Sequence, residues 1–222
     1  MNDHLQETKW AENVILVDAD YTDKLAFHLI TNFERMLERP IPCADFAQWI
    51  ECVAIDGGLQ PLGPEEPDNT ARQTQVILIH GKDKTRMDNF LPSDIMAELN
   101  GKAFNGKMGE FLISAYPVED IADGEDLLTE SLKMITIQKE VKRVMVVPNA
   151  EDANIYNKVR EALRQVDGKD KEITVFVMNP SPASHGRKAN FCEEILGYSL
   201  LAALGIKAEE IEKKICKSND NQ

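Results

Sequence analysis

The amino-acid sequence predicts a single-domain, three-layer α/β sandwich: a mostly parallel five-stranded sheet with helices on both faces. Three observations point there. Four short apolar runs are rich in β-branched residues and mostly do not alternate with polar ones: Val14–Val17, Val76–Ile79, Val144–Val147 and Ile173–Met178. A strand covered on both faces has that pattern, and a parallel sheet between helix layers covers both faces. One-sided helical periodicity fills the intervals, so the connections between strands are crossovers. The 222 residues are 43% hydrophobic and 28% charged, a soluble balance that supports a core without metal or disulfide staples.

Each element follows in turn. The first strand, Val14–Val17, leads into Asp18-Ala19-Asp20-Tyr21. The spacing predicts a helix over 22–38, with Leu25, Ala26, Leu29, Ile30, Phe33, Met36 and Leu37 on one stripe, Thr22 as cap and Pro40 as stop. A second helix spans 45–55, with Phe46, Trp49, Ile50 and Val53 inward and Gly57-Gly58 ending it. Residues 57–74 are Pro/Gly-rich and acidic and read as a long mobile loop. The second strand is Val76–Ile79, followed by a short helix over 94–99 capped by Ser93. The third and weakest strand, 110–116, stops at Pro117. Helices over 125–140 and 151–166 flank the fourth strand, Val144–Val147. Beyond the fifth strand, 190–204 is apolar on most sides and reads as one buried helix, which Gly205 separates from a charged turn or two ending near Ile215. The domain covers residues 1–216, and 217–222 form a frayed tail.

Several functional classes are excluded by the same reading. The longest apolar stretches, such as Tyr198–Ile206, fall far short of the roughly 18–20 residues needed to span a bilayer. The start, Met1-Asn2-Asp3-His4, has no basic region followed by an apolar one, so no secretory signal is visible. The four cysteines, Cys43, Cys52, Cys192 and Cys216, include no C-x-x-C pair and imply a reduced, cytoplasmic protein. No G-x-G-x-x-G, P-loop, G-x-S-x-G or H-E-x-x-H pattern occurs. The net charge of −13 repels a polyanion, and aromatics are 6% with no basic–aromatic interleaving, which argues against avid nucleic-acid binding.

Parallel sheets bind ligands beyond the carboxyl ends of their strands. There the chain offers Asp18 and Asp20, then His80 with Lys82, Lys84 and Arg86. It then offers Glu119, Asp120, Asp123, Glu125 and Asp126, then Glu151 and Asp152, then His185, Arg187 and Lys188. Clustered carboxylates repel by roughly 4 kcal/mol per pair at about 4 Å and an effective dielectric near 20. Such a cluster holds a proton, binds a divalent cation or splays into water. The candidate ligand set is Asp18, Asp20, Asp126, Glu151 and Asp152, with Mg²⁺ or Mn²⁺ as the fitting ion for oxygen ligands. Asp18, Asp20 and Asp152 are the catalytic candidates, and Lys82, Lys84, His185 and Arg187 would steer a phosphate. The plainer readings are helix capping for Asp18, Asp20, Glu151 and Asp152, and solvated surface charge for the rest.

Two resemblances attach to particular residues. The segments AENVILVDADY and EEILGYSLLAALGI resemble a bacterial family carried as a domain of unknown function, which implies no activity. An acid closing the first strand with further acids at the fourth is similar to PIN-like and NYN-type nucleases. That resemblance implies a Rossmann-like sheet and Mg²⁺ or Mn²⁺ held for RNA cleavage. Asp18 with Asp20 would stand for the first acid, Asp126 or one of 119–123 for the middle one, and Asp152 with Glu151 for the last. Where the NYN-type turn reads S-G-D-x-D-F, this chain reads Pro148-Asn149-Ala150-Glu151-Asp152-Ala153. The missing Ser-Gly, Asp and aromatic favour a non-catalytic interaction module with a degenerate acidic site, acting on a protein partner or as a homo-oligomer. The apolar stripe Phe191, Ile195, Leu196, Leu200, Leu201 and Leu204 is its expected contact face. The metal-dependent phosphodiesterase is the alternative.

Overall fold

The computed structural model describes residues 10–63, 72–118, 124–164, 166, 171–180 and 190–219. The first half of the chain runs β1 (Asn13–Asp18), α1 (Ala19–Leu37), β2 (Ala44–Asp45), α2 (Phe46–Asp56), β3 (Gln73–His80) and β4 (Phe90–Leu91). One π-helical turn (Ile95–Leu99) leads to β5 (Ala103–Gly106) and β6 (Gly109–Pro117). The second half runs α3 (Gly124–Ile137), β7 (Arg143–Val147), α4 (Ala153–Arg164), β8 (Glu172–Val177), β9 (Cys192–Ile195), α5 (Leu196–Ala203) and α6 (Ala208–Asn219).

Seven strands form the main sheet in the order β5-β6-β3-β1-β7-β8-β9, and every neighbouring pair is parallel except the β5–β6 hairpin. Numbered by appearance, the six parallel strands lie 3-2-1-4-5-6 across the sheet, so the order reverses between β1 and β7. A separate two-stranded pairing joins β2 to β4.

Side chains on β1 alternate between two cores. Ile15 and Val17 pack with Val76, Leu78, Met145, Val147 and Phe176 under α1, α2 and α5. Val14 and Leu16 pack with Ile77, Ile79, Val144, Val146 and Val175 under α3 and α4. Helices on both faces are why the apolar runs do not alternate with polar residues.

Five expected strands become seven, and the two extra ones share a physical reason. Both β5 and β9 are sheet edges whose residues alternate between exposed and half-buried, so neither carries an apolar run. The helix expected over 190–204 is therefore corrected: Cys192–Ile195 pairs with β8 through the register Thr174–Cys192 to Val177–Ile195, and α5 starts only at Leu196. The short helix over 94–99 is the π-helical turn, and its cap is Asp94, whose carboxylate accepts from Ala97 N at 2.8 Å, not Ser93. Helix α1 starts three residues early, capped by Asp18 rather than Thr22. The loop expected over 57–74 is shorter at its end, since Gln73 and Thr74 belong to β3; residues 64–71 lie outside the described residues. The tail expected at 217–222 is helical through Asn219, with 220–222 outside the described residues. Helix α6 is tied to the C-terminal end of α1 by Arg39–Glu210 and Lys214–Glu38, both at 2.8 Å.

At the β5–β6 turn, Gly109 has φ +118, and an added Cβ would stand 2.2 Å from the Arg72 carbonyl oxygen. Neither the backbone angle nor the space admits a side chain.

Asp56 closes α2, where the helix dipole already disfavours a negative charge. Burial first, and then Glu194 on β9, push its carboxyl above the ordinary value. The folded chain then holds that proton more tightly than the unfolded one. This group favours folding below the unfolded pKa and loses that contribution as pH rises through the folded one. Asp56→Asn is expected to raise stability at neutral pH by up to about 0.5 kcal/mol, with no difference from the parent below the ordinary carboxylate range. Urea titrations at the two pH values check this, and a gain equal at both would refute it.

Candidate functional site

The site region lies where β1, flanked by β3 and β7, delivers its C-terminal end to α1 with no intervening loop. Asp18 is at once the last strand residue and the N-cap of α1: its Oδ1 accepts from Tyr21 N at 2.9 Å, and its carbonyl accepts from Thr22 Oγ1 at 2.7 Å. The run DADYTD thus spreads three carboxylates over the first two turns, where the helix N-terminus favours negative charge.

Two of those carboxylates tie α1 to the segment after β3. Asp20 Oδ2 accepts from Gly81 N at 2.8 Å, and a Cβ on Gly81 would sit 2.9 Å from that oxygen. Asp23 is 3% exposed and accepts from Asn89 N (2.8 Å), Asn89 Nδ2 (3.1 Å) and Lys84 Nζ (2.8 Å). His80, the last residue of β3 and also 3% exposed, turns Nδ1 toward the Gly81 carbonyl at 2.9 Å. A carbonyl only accepts, so Nδ1 carries the proton in that contact.

On the β7 side, Glu151 is exposed and Asp152 half-buried. Asp152 Oδ1 accepts from Asn154 N at 2.8 Å and its carbonyl accepts from Tyr156 N at 3.0 Å, a cap at the start of α4. Tyr21 is 6% exposed and its hydroxyl has no hydrogen-bond partner. Burial, then Glu151, then Asp18 push its pKa upward, so it stays a neutral phenol.

The placements of the sequence-derived candidates therefore differ. Asp18, Asp20 and Glu151 share the rim, with the first two on one helical turn and Glu151 in electrostatic reach of Tyr21. Asp152 faces its own helix. Asp126 pairs with Lys158 of α4 at 2.9 Å, two exposed side chains on the α3–α4 surface. Lys84 is held by Asp23, while Lys82 is exposed. His185, Arg187 and Lys188 lie outside the described residues, as do Glu119, Asp120 and Asp123. Among the described residues no group of three or more His, Cys, Asp or Glu side chains is gathered in metal-binding geometry.

Sequence reasoning missed Asp23 and Tyr21. The spacing Asp20–Asp23 on a helix puts two acids on one side of α1, a readable signal. The unsatisfied phenol was not readable, because it depends on what surrounds it.

A family model described as a family of unknown function, DUF6621, matches residues 7–211. The chain belongs to DUF6621. The match runs from ahead of β1 into α6, so the DUF6621 span contains the whole sheet and the rim acids. This agrees with the resemblance carried by AENVILVDADY and EEILGYSLLAALGI. No curated protein and no solved structure matches the chain significantly. Within this DUF6621 chain, Asp152→Ala is expected to cost about 1 kcal/mol, the value of a helix cap, readable as a small shift of the urea midpoint. No loss of stability would overturn the capping role.

Proposed function

We propose that this chain is a non-catalytic α/β binding module, one unit over residues 1–216, built on a Rossmann-like sheet. One observation carries this reading: four acids that follow β1 and β7 serve the fold's own donors, and Asp126 is paired on the α3–α4 surface. Asp18 and Asp152 receive backbone amides, Asp20 receives Gly81 N, Asp23 receives Asn89 and Lys84, and Asp126 receives Lys158. A metal-dependent phosphodiesterase needs several carboxylates aimed together at the ion. The net charge of −13 further disfavours a polyanionic substrate.

The contact face expected on the last apolar helix is not the one offered here. Leu196, Leu200 and Leu204 are fully buried and form core beneath α5. On α5 and α2, two helices packed together, Tyr198 and Ile55 are exposed apolar side chains. A protein partner or second copy would meet these.

The PIN-like alternative retains one favourable observation: Asp20 Oδ1 is buried without a partner. Melting curves in millimolar Mg²⁺ or Mn²⁺ separate the two readings. The non-catalytic reading expects no ion-specific rise in Tm. A rise that disappears in Asp18→Asn, with ion-dependent RNA cleavage, overturns it in favour of a metal site at Asp18, Asp20 and Glu151.

A further inference from the structure

Among the described residues the main sheet ends at β9, a four-residue strand (CEEI) that pairs with β8 on one side and with no segment on the other. A parallel edge strand turns the N–H and C=O of alternate residues away from its neighbour, so this edge is a template for a further strand. The register fixes where its side chains lie, because partners in a parallel ladder share a face. Glu193 stands beside Val175, which belongs to the core under α3 and α4, and Glu194 beside Phe176, which belongs to the core under α1, α2 and α5. Glu193 is used within the fold, accepting from the Tyr156 hydroxyl of α4.

Glu194, on the opposite face, is exposed and has no ion-pair partner among the described residues. The charge in its reach is Asp56 at the end of α2, whose carboxyl is pushed up by burial and then by Glu194, with no cation among the described residues acting against them. Past the strand the chain enters α5 without a loop, and Tyr198 in the first turn of that helix is 68% exposed. The edge therefore offers backbone hydrogen bonds, unanswered negative charge on one face and an aromatic ring beyond its end. A second copy does not complement it. Two β9 strands paired antiparallel about a two-fold axis would set Glu193 of each copy opposite Glu194 of the other, and like charges directly opposite destabilise a ladder. The net charge of −13 adds to that repulsion. A strand with Lys or Arg at alternate positions instead carries all its cations on one face, where Glu194 and Asp56 lie.

We propose that the outer edge of β9 docks an extended segment of a protein partner, alternately basic and apolar, which adds a strand to the sheet and sets its cations beside Glu194 and Asp56. Main-chain hydrogen bonds hold the segment, and the two carboxylates select its charge. Tyr198 meets the residues that run past the strand's end. This names the chemistry of the partner and so rests on the non-catalytic binding-module reading.

Isothermal titration of the full chain with the peptide acetyl-VKVKV-amide tests the edge, with two comparison peptides. Acetyl-VEVEV-amide keeps the strand pattern and reverses the charge, and acetyl-VKVKV-amide N-methylated at every residue keeps the charge and loses the backbone donors. The expected result is saturable one-to-one binding of the basic peptide, with both comparison peptides weaker by about tenfold or more. Glu194→Lys reverses the selecting charge at an exposed position and is expected to weaken binding by about tenfold or more. Glu194→Gln is a second variant should the first not fold, with a smaller loss in the same direction. Independently of affinity, hydrogen exchange at the β9 amides is expected to slow on addition of the basic peptide and not of its N-methylated form. Several results overturn the proposal: no saturable binding; equal binding of the N-methylated peptide, which reports bulk charge; binding indifferent to both variants; or sedimentation showing that a second copy, and not the peptide, protects the β9 amides. None of these bears on the non-catalytic reading, which stands or falls on ion-dependent melting and RNA cleavage, so the two failures are distinguishable.

Discussion

Asp23→Ala is expected to destabilise the chain by about 2–4 kcal/mol, read as a lower urea midpoint. The carboxylate is buried, and it gathers the N–H and side-chain amide of Asn89 together with the ammonium of Lys84, partners more than sixty residues away. Alanine leaves those donors facing a void and releases the segment after β3 from α1. The lower end of the range applies if Lys84, about one-third exposed, regains water when its partner goes. Asp23→Asn still accepts from Asn89 and is expected to lose about half as much. Lys84→Met removes only the partially exposed ion-pair partner and is expected to cost less than either. A loss below about 1 kcal/mol for Asp23→Ala would show that the segment holds its position by other contacts.

Trp49→Ala is expected to cost about 3–5 kcal/mol, the range for emptying a large aromatic site in a core. Trp49 is fully buried on α2, with ring centroids 6.0 Å from Phe46 and 5.4 Å from Phe90. Phe90 belongs to β4, whose pairing with β2 sits beside this cluster, so the cavity would loosen two connections at once. Trp49→Phe is expected to cost only about 1–2 kcal/mol, because the indole N–H has no partner to lose and an aromatic ring still fills most of the space. Guanidinium denaturation measures both variants. Equal losses for the two would mean that the N–H is satisfied in solution and the packing is not the main term.

Much of the framework was legible because burial on two faces leaves a local trace. Val14–Val17, Val76–Ile79, Val144–Val147 and Ile173–Met178 lie within β1, β3, β7 and β8 apart from the last residue of the fourth run, and the stripe from Leu25 to Leu37 lies on α1. The edge strands β5 and β9 left no such trace: AFNG and CEEI face solvent at alternate residues, and only pairing with β6 and β8 makes them strands. For the same reason the start of 190–204 reads as helix in the sequence. The apolar residues of α5 were legible as apolar but not as inward-facing, since a fully apolar segment does not say which side is covered.

The sequence by itself determined that acids follow β1 and β7 and that basic residues follow β3, because each follows directly from a strand's end. Only the tertiary structure decided which of those charges are answered. Asp20 meets Gly81, Asp23 meets Lys84 and Asn89, and Asp126 meets Lys158, across separations of 32 to 66 residues. A hydrogen bond of that kind depends on where the sheet sets two distant strand ends side by side, and short-range composition carries no record of that distance.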